Sequence, residues 1–149
     1  MHDRVLQTTR RLNVAADGTE NTGYQFASQV GISADGPKVS HDQWRVDHSG
    51  GGTYDLVMAG YDLLLDRSRN GDLRFGGIIS VANPRQTADS YYAWIKKIAT
   101  PSFNTLFPDA NYDNIRRFYP YESAEFVDFY LALFDLWWDD SDISRPSMR

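Results

Sequence analysis

The sequence predicts an α+β domain: a small antiparallel sheet from a glycine-rich N-terminal half, packed against proline-delimited helices of the C-terminal half. Three observations predict it. All eleven glycines lie in residues 1–77, and residues 78–149 contain none. Five of the six prolines, Pro84, Pro101, Pro108, Pro120 and Pro146, fall in the glycine-free half. So do fifteen of the twenty-one aromatic residues. Glycine permits the positive-φ turns that join strands, whereas proline punctuates helix starts and stops.

The elements follow in order. Thr8–Val14 reads as a short strand closed by a turn at Asp17-Gly18. A clearer strand spans Tyr24–Ile32, with Tyr24, Phe26, Ser28, Val30 and Ile32 alternating onto one face. Ala34-Asp35-Gly36-Pro37 ends it with strong turn chemistry. Lys38–Asp47 is expected as a polar edge strand, because Trp44 and Val46 alternate. For Thr53–Arg69 a helix and a hairpin compete. Tyr54, Val57, Met58, Tyr61, Leu64 and Leu65 make a continuous helical stripe, and this outweighs the hairpin signal of Asn70-Gly71. Thr53 then caps the helix start and Asn70-Gly71 its end. Leu73, Phe75, Ile79 and Val81 form a strand whose alternation Gly77 breaks. Beyond Pro84, Asp89 opens a helix to Ala99 with Tyr91, Ile95 and Ile98 inward. Turns fill Pro101–Pro108, Asn111–Tyr119 is a brief helix, and Glu122–Asp140 is the last and most hydrophobic one. Residues 1–149 are read as a single domain.

Bulk properties exclude several classes. A chain of 149 residues buries about 68–70% of its unfolded surface in one core. The net charge of −5 argues against a nucleic-acid partner, which selects a basic stripe. Without cysteine there is no disulfide, thiolate metal site or cysteine nucleophile. Met1–Asn13 is too polar for a secretory signal, and no apolar run approaches a membrane span. The expectation is a cytoplasmic protein with no membrane partner, no metal and no cofactor.

In the last helix, Glu125, Asp128, Asp135 and Asp139 share an arc of about 80° with Ala132. Nearly everything else from Phe126 to Trp138 is apolar or aromatic, wider than the stripe of roughly 100° a surface helix needs. A central helix with its acidic stripe in solvent explains this plainly. A partner surface built on Phe134, Trp137 and Trp138 explains it more sharply, because adjacent tryptophans point about 100° apart and cannot both face one core.

Candidate chemistry is sparse. In HDQWRVDHSGGG, a strand would place His41 and Asp47 on one face and Asp42 and His48 on the other, either pair able to offer nitrogen and oxygen ligands. The following Gly50, Gly51, Gly52 and Thr53 lead into a helix, where exposed N–H groups suit an anion. The lysine and spacing of a P-loop are missing. Asp66–Asp72 imitates the start of a calcium loop, but Gly77 stands where its bidentate glutamate belongs.

The favoured reading is a non-enzymatic interaction or assembly protein, binding a protein partner or its own copies through the aromatic, acidic-striped C-terminal helix. The alternative is a small hydrolase or anion-binding enzyme centred on His41, Asp47, His48 and the Gly50–Gly52 loop.

Overall fold

A computed structural model of the protein describes residues 29–108 and 123–149. Strands alternate with helices: β1 (Gln29–Ser33), α1 (Lys38–Trp44), α2 (Tyr54–Arg69), β2 (Arg74–Val81), α3 (Ala88–Ile98), β3 (Ser102–Leu106), α4 (Ser123–Asp139) and β4 (Ser147–Met148). They form one sheet in the order β1-β2-β3-β4, and every neighbouring pair is parallel. The fold is therefore α/β, and the antiparallel sheet expected from the sequence is corrected. The expected strand Thr8–Val14, the Asp17-Gly18 turn, the first half of Tyr24–Ile32 and the helix Asn111–Tyr119 lie outside the described residues.

Two local features account for the correction. Lys38–Trp44 is a helix, not an edge strand. Pro37 starts it with φ −56°, and its carbonyl accepts the N–H groups of Ser40 and His41, each at 2.9 Å. Trp44 and Val46 alternate, but both are exposed, so no burial enforced a two-residue period. Conversely, Ser102–Leu106 is a strand although Pro101 and Pro108 bracket it like a turn. A strand between α3 and α4 makes each connection a crossover, and crossovers join parallel strands. With strand order following chain order, crossovers of one hand stack their helices on one face.

That face holds the core. Register aligns Ile32, Ile78, Phe103 and Met148 in one row across all four strands. The first three are buried beneath Tyr61, Tyr91, Trp94, Ile95, Phe129 and Leu133 of the helices. Each large side chain so buried stabilises by about 1.5–3 kcal/mol. In α2 the six residues of the expected stripe all pack on or within this core. Asn70 ends the helix and Gly71 follows at φ +80°. Thr87, rather than Asp89, caps α3 by accepting the Ser90 N–H at 3.2 Å.

Gly76 and Gly77 interrupt β2. Val30 pairs with Phe75 but Gly31 pairs with Gly77, so Gly76 is a bulge. Ser102 Oγ donates to the Gly76 carbonyl at 2.6 Å. Gly77 sits at φ +100°, and a Cβ there would lie 2.0 Å from the Ser102 carbonyl oxygen. The bulge restores phase, placing Phe75, Ile78 and Ser80 together on the helix side.

Candidate functional site

Fully parallel sheets are ordinarily covered on both faces. Among the described residues this one is covered on the helix side only. The opposite face presents Ser33, Ile79 and Asn104 as a row across three strands, with Gly31 and Gly77 below and Val81 and Leu106 above. Ile79 is 44% exposed and Leu106 45%. Gly31, Gly76, Gly77, Ile79, Asn104 and Arg149 line a cleft of about 230 Å³ on this face. In α/β sheets, ligands sit beyond the carboxyl ends of the strands.

Those ends are held by a polar clamp. The Asp35 carboxylate, buried just past β1, accepts the Val81 N–H at 2.9 Å at the end of β2. Arg45 grips the same carboxylate with Nε and, at 3.2 Å, with Nη2. Deeper on the helix side, Ser80 Oγ donates to the Ala34 carbonyl at 2.6 Å, and Tyr91 OH donates to Ser80 Oγ at 2.6 Å. Thr105 Oγ1 lies 3.2 Å from Tyr91 OH and is left as its donor. This hydroxyl chain joins β1, β2, α3 and β3. Burial pushes the Tyr91 phenol above its ordinary value.

His41 is fully buried on α1, not on a strand face with Asp47. Its Nδ1 accepts the Asp35 N–H at 3.2 Å. Its Nε2 lies 3.1 Å from Thr53 Oγ1, whose hydroxyl in turn donates to the Arg45 carbonyl at 3.0 Å. Nδ1 as acceptor fixes the tautomer with the proton on Nε2. Burial, the largest influence, holds the imidazole below its ordinary pKa and so neutral. Both ring nitrogens are engaged, and the residue pins the loop after β1.

Asp47 lies on the exposed turn beyond. Its carboxylate accepts the Ser49 hydroxyl at 2.7 Å and the Ser49 and Gly51 N–H groups at 2.8 and 2.9 Å. These bonds, the Ser49 hydroxyl foremost, hold Asp47 below the usual carboxylate range. His48 is exposed in the same turn. The Gly50–Thr53 segment does lead into a helix, but the chain's own Asp42 meets that helix start, accepting the Tyr54 N–H at 2.8 Å. Gly52 permits the approach, since a Cβ there would lie 2.2 Å from the Asp42 carboxyl carbon. Among the described residues no group of three or more His, Asp or Glu could hold a metal.

On α4, Glu125, Asp128, Asp135 and Asp139 are exposed as expected. Phe134 and Trp138 stack with centroids 5.7 Å apart, Trp138 largely exposed and Phe134 a little under half. Trp137 turns inward, donating Nε1–H to the Pro146 carbonyl at 2.9 Å beneath the Arg145 guanidinium. None of the described helices is long and apolar enough to cross a membrane.

Sequence reasoning missed Ser33, Asp35, Arg45 and Asn104. Asp35-Gly36-Pro37 directly after an apolar strand is the available signal, and its turn chemistry hides the clamp role of Asp35.

The chain matches no protein-family model and no curated protein sequence. Its fold does match solved structures. Native anSMEcpe with bound AdoMet and Kp18Cys peptide superposes with a TM-score of 0.66 at 25% identity, covering 81% of this chain and 33% of that one. Native anSMEcpe with bound AdoMet and Cp18Cys peptide gives 0.65 at 26% identity, covering 81% and 34%. Native anSMEcpe with bound AdoMet alone gives 0.65 at 25% identity. The chain thus spans about a third of the length of the structures it matches. The expected non-enzymatic assembly function is corrected by this likeness: the matched structures hold bound AdoMet, which points to an enzyme-like fold.

Proposed function

We propose that this chain supplies one wall of an AdoMet-binding site in an enzyme, on the carboxyl half of the open sheet face. The observation that carries the reading is the parallel, one-sided sheet, shared over 81% of the chain with AdoMet-bound structures. The residues on that face suit the ligand. Ile79, Val81 and Leu106 offer apolar surface to a flat adenine. The Ser33 hydroxyl and Asn104 carboxamide, in register with Ile79, offer partners to ribose hydroxyls and to the amino-acid end. When bound, AdoMet supplies carbon activated by a sulfonium centre. The chain's own part is to bind and orient it, with the Asp35–Arg45 clamp holding the strand ends fixed. By the same likeness, the substrate is a peptide.

The test is calorimetric titration of the chain with AdoMet. A single wall should bind at a Kd of about 100 μM, near −5.5 kcal/mol. Ile79→Arg, which fills the open row with a charged side chain, should abolish the heat, whereas Leu63→Arg on the exposed side of α2 should not. Saturable binding that Ile79→Arg leaves intact, or none at millimolar AdoMet, would sink the reading.

A further inference from the structure

A second concavity lies on the outer side of the strand ends, between α1 and the loop from β2 to α3. Gln43 from α1 and Asn83 and Gln86 from the loop bring three carboxamides to it, beside Val39, Asp42 and Arg85. Asn83 Nδ2 donates to Gln43 Oε1 at 3.3 Å, and Asn83 Oδ1 accepts the Arg85 N–H at 3.2 Å. The two side chains are thereby held in fixed orientation.

Gln86 is different. It is 7% exposed, and its Nε2 is buried with no hydrogen-bond partner among the described residues. Its carboxamide fills the space a Cβ at Gly36 would need, 2.5 Å from Oε1, so Gly36 makes room for it. A buried amide donor left unpaired is costly, and such a group in a native structure calls for an explanation. An acceptor delivered by a ligand is one. Carboxamides offer a donor and an acceptor side by side, the same pair that a peptide unit presents in reverse.

We infer that this groove binds the main chain of an extended peptide, a ligand carbonyl accepting from Gln86 Nε2 while Gln43 and Asn83 meet the adjoining peptide unit. This rests on the reading above that the carboxyl edge is the working end of the sheet. It assigns the peptide to the outer side of that edge and AdoMet to the open face. Val39, 87% exposed at the rim, gives an apolar contact for a ligand side chain.

The experiment is an amide-resolved NMR titration of the 149-residue chain with N-acetyl-trialanine-N-methylamide, a capped peptide without charge. Saturable shifts should appear at the side-chain amides of Gln43, Asn83 and Gln86. Gln86→Leu, which removes the orphan donor at similar volume, should weaken binding about tenfold, the worth of one buried hydrogen bond. Gln43→Ala, at an exposed position, should weaken it as well and guards against a folding defect in the first variant. Calorimetry with AdoMet should be unchanged in both variants, which separates this groove from the open face. Absent shifts, wild-type affinity in both variants, or groove shifts caused by AdoMet in place of peptide would overturn the inference. Loss of AdoMet binding with peptide binding retained would overturn the AdoMet site and leave the groove standing.

Discussion

The carboxylate of Asp35 accepts the Val81 N–H at 2.9 Å, so a side chain just past β1 completes the backbone bonding at the end of β2. Arg45, from the end of α1, neutralises that carboxylate from the other side. A turn residue thereby sets the spacing of two strand ends that carry the candidate site. Asp35→Ala leaves the Val81 amide unpaired and should cost about 3 kcal/mol by urea unfolding. Arg45→Met leaves the buried Asp35 carboxylate without its counter-charge and should also cost about 3 kcal/mol.

Gly77 and Gly71 both lie at positive φ, yet only one is hemmed in. Gly71→Ala meets nothing within 4 Å and should cost the backbone penalty of about 1–2 kcal/mol. Gly77→Ala would drive its Cβ into the Ser102 carbonyl, displacing β3 from β2, and should cost more than about 3 kcal/mol. Equal melting temperatures for the two variants would remove the bulge from the account.

His41 makes stability depend on pH. Its folded pKa lies below the unfolded value of 6.5, because burial disfavours the imidazolium. The unfolded chain therefore binds the extra proton first as the solution is acidified. The contribution is present above pH 6.5 and lost as pH falls from there through the lowered folded value. Unfolding free energies from pH 8 to 5 should fall for the wild type and fall less for His41→Gln. His48→Gln, in an exposed turn, should keep the wild-type slope.

Tyr91→Phe removes the central hydroxyl between Ser80 and Thr105. The buried Ser80 hydroxyl and the half-buried Thr105 hydroxyl then lose a partner, and the cost should be about 1–2 kcal/mol. Chemical denaturation of this variant beside Thr105→Val, which removes only the last link, should give the larger loss to Tyr91→Phe.

Much of the helical structure was legible because burial imposed it. The stripe Tyr54 to Leu65 packs as its spacing demands, and α3 and α4 follow their apolar faces into the core. The sheet was not legible, for two reasons. Trp44 and Val46 imitate a strand while lying exposed, and Ser102–Leu106 is a five-residue strand disguised by prolines. One hidden strand and one apparent strand make an alternating α/β chain look like two blocks. At the site, the conspicuous residues His41, Asp47 and the glycine loop turn their polar atoms on the chain itself. Ser33, Ile79 and Asn104 carry no motif, because only strand register places them in one row.

The central claim is that the open face of this sheet binds AdoMet, and amide-resolved NMR during AdoMet titration tests it most directly. Saturable shifts should cluster at Ser33, Ile79, Val81, Asn104 and Leu106, with the buried row Ile32, Ile78 and Phe103 moving less. Shifts confined to the exposed side of α2 or to α4, or none at all at millimolar AdoMet, would contradict it.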